Sequence, residues 1–107
     1  MNGYQITFFT QQNRRHAGKP LADWLVHLAA EMNLRGATLI PGSEGMGHDQ
    51  RLHSAHFFEL ADQPLTVLMA VTTEEADRLF RRLRAEAVHV FYVKTPVEFG
   101  SIGNPGA

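Results

Sequence analysis

The segment 34–47, LRGATLIPGSEGMG, constrains the fold of this chain most, because it sets four glycines around a short apolar run. These glycines are Gly36, Gly42, Gly45 and Gly47. Glycines at this density mark positions where the backbone adopts a positive φ or where another group approaches closely. The run 37–40 has the length and β-branching of a buried strand. The segment therefore predicts a helix end, a strand and an open glycine-bearing loop, which is a common setting for ligand binding.

Hydrophobic periodicity predicts two helices. The first begins at Pro20, carries an apolar stripe and ends at Gly36 in the left-handed region. The stripe consists of Leu21, Trp24, Leu25, Leu28 and Met32. The second begins at a capping box formed by Thr72 and Glu75. Its core face consists of Ala76, Leu79, Phe80 and Leu83, and its arginines, interleaved with acids, predict a solvated face with ion pairs.

Short β-branched and aromatic runs predict the strands. They cover residues 4–10, 37–40, 65–71 and 88–93, with 56–60 also extended before a bend at 61–64. The polar segment 11–19 predicts a loop, and the polar segment 48–55 predicts a loop or a ragged extension. The resulting order is β-α-β-β-α-β, which predicts an α+β, ferredoxin-like sandwich with a four-stranded antiparallel sheet and both helices on one face. The other face needs a cover, and a second copy of the chain is the economical one.

Length and composition bound the remaining possibilities. A chain of 107 residues predicts a single domain, 1–107, with a mobile loop region at 48–63 and a flexible glycine-rich tail at 99–107. The formal net charge of −1 argues against a nucleic-acid partner, which needs a basic surface. The sequence shows no cysteine, no signal-peptide pattern and no apolar run near the roughly 20 residues that span a bilayer. We therefore expect a soluble, cytoplasmic protein that is not embedded in a membrane.

Four motifs in a fixed order resemble the PII-like signalling superfamily, and most closely its DUF190-type group, labelled as a domain of unknown function. They are GKPLADWL, LRGATLIPGSEGMG, the strand that begins at Pro64, and PVEFG, within residues 4–100 or so. The resemblance implies a compact homotrimer that binds adenine nucleotides in clefts between subunits. It also implies a mobile loop between strands two and three that contacts partner proteins. The expected function is non-enzymatic regulation of a transporter or an enzyme by a small anionic effector such as AMP, ADP or ATP.

The same resemblance implies the effector site. It assigns the surroundings of the adenine to Gly36, Ala37 and Thr38, and the phosphate-facing base of the loop to Gly45, Met46, Gly47 and His48. His48 and Asp49 stand where PII-type proteins carry an arginine and a glutamine. The sequence leaves open whether Arg14, Arg15 or Lys19 of a neighbouring subunit supplies the phosphate contacts instead.

Two other functions are compatible with the residues. His48, His53 and His56, with Asp49 and Glu59 nearby, predict a divalent-metal site in a trimer akin to cation-tolerance proteins. Their spacing matches no standard zinc motif. The third possibility is a small enzyme at a trimer interface. We find no cysteine, no serine in a nucleophile elbow and no paired carboxylates, so we assign no catalytic residue and favour a non-enzyme.

Overall fold

In a computed structural model of the chain, residues 1–42, 44–46, 52–54 and 63–103 are described, the two three-residue segments by their backbone alone. A four-stranded antiparallel sheet forms its centre. Its strands are β1 (Asn2–Gln11), β4 (Thr38–Pro41), β7 (Pro64–Thr72) and β8 (Phe91–Glu98). Across the sheet they lie in the order β4-β7-β1-β8. Helix α1 (Leu21–Glu31) connects β1 to β4, and helix α2 (Thr73–Ala85) connects β7 to β8. The predicted β-α-β-β-α-β order and ferredoxin-like fold are confirmed.

Two short antiparallel ladders lie outside the main sheet. β2 (Arg15–His16) pairs with β3 (Lys19–Pro20), and β5 (Glu44–Met46) pairs with β6 (Leu52–Ser54). Arg15, His16 and Lys19 lie in the predicted loop 11–19, and β5 lies in the predicted glycine-bearing loop, so the loop predictions were wrong at these residues. Pro20, predicted to begin helix one, ends β3 instead, and β6 lies in 48–55, where a loop or a ragged extension was predicted. Such short ladders lack the apolar alternation by which a strand is recognised in a sequence. The predicted extended run 56–60 lies outside the described residues.

The core lies between the helices and one face of the sheet. Alternate residues of β1 and β7 point to the helices and are fully or almost fully buried. They include Ile6, Phe8, Val67, Met69 and Val71. The helices contribute Leu21, Leu25, Leu28, Ala76, Leu79 and Leu83 to the same cluster. The predicted apolar stripes of both helices therefore face one core, and Trp24, Met32 and Phe80 pack at its margin.

The capping box at the start of α2 is confirmed. The Thr72 hydroxyl oxygen accepts a hydrogen bond from the Glu75 backbone N–H at 3.2 Å. The Thr72 backbone N–H donates to the Glu75 carboxylate at 2.8 Å. Two of the otherwise unpartnered polar groups at the helix start are satisfied in this way.

Both helices end in Schellman motifs, although neither motif contains glycine. In α1 the residue in the left-handed region is Asn33, with φ 59°, and the next N–H, of Leu34, donates to the Ala29 carbonyl at 2.9 Å. In α2 the corresponding residue is Ala87, with φ 55°, and Val88 N–H donates to the Leu83 carbonyl at 3.1 Å. The prediction that Gly36 ends α1 was wrong, because asparagine tolerates the left-handed region and closes the helix earlier.

Two strands differ from their predicted form. The last strand runs from Phe91 to Glu98 rather than over 88–93, and it includes Pro96. Proline is tolerated there because β8 is an edge strand, on which one side makes no ladder hydrogen bonds. β4 was predicted to be buried, yet all four of its residues are exposed. It lies at the opposite edge of the sheet, where among described strands it pairs with β7 alone.

The sheet face turned away from the helices, here called the outer face, carries exposed apolar side chains. The register aligns Phe9 with Phe91 and with Thr66, and Thr66 with Ile40, so these side chains share that face. Phe9, Ile40, Phe91 and Val93 are each between 43% and 52% exposed. The rings of Phe9 and Phe91 lie 5.7 Å apart between centroids. Neither α1 nor α2 covers this face.

Candidate functional site

The candidate site starts where the chain leaves α1 and enters the edge strand β4. Leu34 is buried and anchors the connection to the core. Gly36 then adopts φ 140°, a conformation that residues with a Cβ rarely adopt. This turn brings Ala37 and Thr38 alongside β7, with Thr38 opposite Leu68. A local backbone constraint at one glycine therefore positions the start of β4.

A cavity of about 400 Å³ lies at this turn. It is lined by Gln5, Arg35, Gly36, Ala37, Thr38, Leu68, Met69 and Ala70. Gln5 pairs with Ala70 and Leu68 pairs with Thr38, so these four side chains point to the outer face. The cavity is therefore a recess at the edge of the outer face, open on the side where no described element packs.

The lining of the cavity carries a positive charge. Among the described residues that line it, Arg35 is the one that carries a charge and none has a carboxylate. Apolar walls at Ala37, Leu68 and Ala70 complement the polar groups of Gln5 and Thr38. A lining of this kind accommodates a planar or apolar group while a single cation attracts a negative one.

Met1 and Phe99, which extend the β1–β8 ladder, contact the Arg35 side of this cavity. The Met1 nitrogen donates to the Phe99 carbonyl at 2.7 Å, and Phe99 N–H donates to the Met1 carbonyl at 2.8 Å. These bonds extend the β1–β8 ladder by one pair. The ring of Phe99 then lies under the Arg35 guanidinium, at 5.6 Å from the ring centroid, and Arg35 also donates to the Met1 sulfur. Arg35 is thus held at the cavity by contacts with Phe99 and Met1.

Comparison with known families identifies the chain. The DUF190 family, described as "Uncharacterized ACR", matches residues 3–99. The chain belongs to the DUF190 family. The DUF190-type group that the ordered motifs predicted is thereby confirmed.

A solved structure supports the fold of this DUF190 chain. It is CPII, a nitrogen regulatory PII-like protein from Thiomonas intermedia K12, bound to ADP, AMP and bicarbonate. The two chains are 17% identical, with a TM-score of 0.65 over 94% of this chain and 91% of CPII. At this identity the likeness establishes the PII-like fold. Within the described residues, no helix of this DUF190 chain combines the length and the apolar character needed to cross a membrane.

Three of the predicted effector-site residues come together in the DUF190 chain. Gly36, Ala37 and Thr38 all line the cavity. Gly45 and Met46 lie in β5, opposite His53 and Leu52, and are described by their backbone alone. Gly47 and His48 lie outside the described residues. The assignment of all seven to an effector site stays a prediction.

Sequence reasoning missed five lining residues: Gln5, Arg35, Leu68, Met69 and Ala70. The sequence could have indicated Arg35, because a cation directly before a glycine in a predicted ligand loop is a candidate contact for an anionic ligand. Gln5, Leu68 and Ala70 enter the cavity only through the register of β1 with β7, which pairs residues more than 60 positions apart. No pattern of neighbouring residues in the sequence predicts that register.

The cations before α1 in this DUF190 chain are held by their own surroundings. Arg14 donates to the His89 carbonyl at 3.0 Å, and Arg15 donates to the Gly18 carbonyl at 2.7 Å. His16 lies edge-on to Trp24, with ring centroids 4.5 Å apart. None of them, nor Lys19, is among the residues that line the cavity. Their proposed contact with a neighbouring subunit's phosphate stays a prediction.

The alternative metal site falls largely outside the described part of the DUF190 chain. His48, Asp49, His56 and Glu59 are not described, and His53 is described by its backbone in β6. Among the residues that the structure does describe, no three histidine or acidic side chains form a group that would hold a metal ion. His27 is exposed on α1.

Proposed function

We propose that this DUF190 protein is a PII-like regulatory protein, a homotrimer that binds a small anionic effector in clefts between subunits. The effector class is an adenine nucleotide, AMP, ADP or ATP. Binding would change the fit of the protein to a regulated partner, a transporter or an enzyme, with no reaction catalysed by this chain itself. The observation that carries the proposal is the cavity lined by Gly36, Ala37 and Thr38 at the edge of the outer face.

The size and charge of the cavity support a nucleotide. A volume of about 400 Å³ lies in the range of small-molecule sites, roughly 300–1,000 Å³. Leu68 and Ala70 offer an apolar surface to a base, and Arg35 offers the one charge, of the sign that a phosphate requires. CPII, which shares the fold, was solved with ADP and AMP bound, and this supports the same class of ligand here.

The outer face supports the trimer. Phe9, Phe91 and Val93 leave an apolar patch in the centre of that face, and such patches mark surfaces that bind another protein. Gln5, Leu68 and Ala70 line the cavity from the same face. A second copy packed on the outer face would therefore also close the open side of the cavity. The binding site would then be complete only in the assembly.

The position of β5 and β6 supports regulation. β4 runs from the cavity at Thr38 to Pro41, and Gly42 connects it to the β5–β6 ladder. That ladder begins the segment that the PII-type resemblance assigns to partner contacts. An effector at Thr38 would lie at the root of this segment. It would bias the segment by binding two of its arrangements with unequal affinity.

Calorimetric titration of the metal-free protein with ATP, ADP and AMP, with and without magnesium, tests the proposal. Saturable heat near one site per subunit is expected for at least one of them. Thr38→Trp, which fills the cavity from an exposed position, should abolish this heat. Ala30→Trp is the matched control, because Ala30 is exposed on α1, away from the outer face, and does not line the cavity.

Light scattering of the wild type and of both variants must accompany the titration, because loss of the trimer would also remove an intersubunit site. Absence of heat from all three nucleotides in a trimeric wild type would overturn the effector class. Normal binding by Thr38→Trp would overturn the site. A monomeric wild type would overturn the assembly.

A further inference from the structure

The arginines of α2 differ in whether they form ion pairs, and the sequence does not predict this difference. Arg82 forms ion pairs with Glu31 at 3.2 Å and with Glu86 at 3.3 Å, and hydrogen bonds to these two carboxylates raise its pKa above the usual value. This is the solvated ion-pair face that the sequence predicted. Arg81 and Arg84 form no ion pair with a carboxylate of the described residues. Within the described residues, the ion-pair prediction therefore holds for Arg82 and not for Arg78, Arg81 and Arg84.

Arg81 and Arg84 lie beside β8, where they line a groove of about 290 Å³. The groove is completed by Asp77, Phe80, Tyr92 and Lys94. Tyr92 pairs with Phe8 and Lys94 with Ile6, whose side chains point to the helices. The groove is therefore on the helix side of the sheet, opposite the outer face. It shares no lining residue with the cavity at Gly36.

The groove is positively charged in a chain whose net charge is −1. Three cations, Arg81, Arg84 and Lys94, face one carboxylate, that of Asp77. Asp77 precedes Arg81 by four residues, the spacing of a helical ion pair, yet no such pair forms. Like charges three residues apart, as in Arg81 and Arg84, disfavour a helix slightly. A local excess of uncompensated positive charge is what an anion site requires.

Aromatic rings form the floor of the groove and hold two of its cations. Phe80 and Tyr92 lie 4.8 Å apart between centroids. The Lys94 ammonium is 4.2 Å from the Tyr4 ring centroid and 5.3 Å from that of Phe80. The Arg84 guanidinium is 5.9 Å from the Phe80 centroid. A cation held over a ring is fixed in place without losing its charge, so its N–H donors stay available to an anion.

We propose that the groove between α2 and β8 is a second ligand site, which binds a small phosphorylated molecule. Two guanidinium groups and one ammonium match the charge and the several acceptor oxygens of a phosphate monoester better than those of a single carboxylate. The rings of Phe80 and Tyr92 provide an apolar surface for the organic part of the ligand. The volume, near the lower end for small-molecule sites, fits a ligand smaller than a dinucleotide.

NMR titration of the ¹⁵N-labelled full-length chain tests this site. The probes are phenyl phosphate, inorganic phosphate and benzoate, each compared with sodium chloride at equal ionic strength. We expect phenyl phosphate to cause saturable shifts at the backbone amides of Arg84, Tyr92 and Lys94. Saturation by inorganic phosphate as well would show that the phosphate group alone suffices, and saturation by phenyl phosphate alone would show that the ring contributes.

The double variant Arg81→Gln/Arg84→Gln should weaken phenyl phosphate binding at least about tenfold, because two charged hydrogen bonds are lost. Arg78→Gln/Arg82→Gln is the matched control, since it removes the same charge from positions of α2 that do not line the groove. The proposal is overturned if sodium chloride reproduces the shifts, if benzoate binds as tightly as phenyl phosphate, or if the double variant binds like the control. Shifts at Gly36 to Thr38 report the effector cavity separately, so the two sites fail or succeed independently.

Discussion

The guanidinium of Arg35 lies 5.6 Å from the ring centroid of Phe99, although 63 positions separate the two residues in the sequence. Phe99 is held there because its backbone pairs with that of Met1 at the end of the β1–β8 ladder. Arg35 also lines the cavity proposed for the effector. The contact between Arg35 and Phe99 therefore connects the start of β4 to the end of β8.

A double-mutant cycle measures this contact. Arg35→Met keeps the aliphatic stem without the charge, and Phe99→Leu keeps an apolar side chain without the ring. We expect a coupling energy of about 0.5–1 kcal/mol in urea unfolding at fixed protein concentration, the usual size of an exposed cation–π contact. Additive effects of the two changes would show that the contact contributes nothing to stability.

The capping box gives a second prediction. Thr72→Ala removes the side-chain acceptor for Glu75 N–H and leaves the first turn of α2 with an unpartnered donor. The free energy of unfolding should fall by about 1 kcal/mol. Thr73→Ala, one position later and without a capping bond, is the control and should change the unfolding midpoint little. Equal losses in the two variants would contradict the capping role.

Local patterns predict the helices, and with them the order of helices and strands along the chain. The apolar periodicity of Leu21 to Met32 and the capping residues Thr72 and Glu75 both act over a few residues. Interactions between distant residues account for what the sequence missed. Pro96 reads as a strand end until β8 is known to be an edge strand. Gly3 carries no sequence signal, yet a Cβ there would collide with the Val71 carbonyl oxygen across the sheet.

The candidate site also contains some residues that local sequence predicts and others that only the fold brings together. Gly36 to Thr38 were predicted from the glycine pattern and from the family resemblance, both of which follow the order of the chain. Gln5 and Ala70 face each other in the cavity only because β1 pairs with β7 in one register. Arg81 and Arg84 differ from Arg82 only through what the fold places beside them. Charge pattern on a helix predicts exposure but not which cations stay unpaired.

The outer face gives a prediction about assembly. Phe9 is 44% exposed at the centre of that face and packs on Phe91. Phe9→Lys places a charge in the apolar patch, so the trimer proposed above should dissociate to smaller species in light scattering, with the helix content unchanged. Ile102→Lys is the matched control, because Ile102 is fully exposed outside the sheet. An intact trimer in Phe9→Lys would show that subunits meet elsewhere.

The end of α2 gives the last prediction, and its sign follows from backbone conformation alone. Ala87 has φ 55°, in the left-handed region, where a Cβ costs about 1–2 kcal/mol. Ala87→Gly removes that cost, while the greater freedom of glycine in the unfolded chain offsets part of the gain. We therefore expect the free energy of unfolding to rise by about 0.5–1 kcal/mol. Ala85→Gly, two residues earlier in the last turn of α2, should lower it by about as much, because there the backbone is helical. A loss of stability in Ala87→Gly would mean that the helix does not end in the Schellman motif formed by Val88 and Leu83.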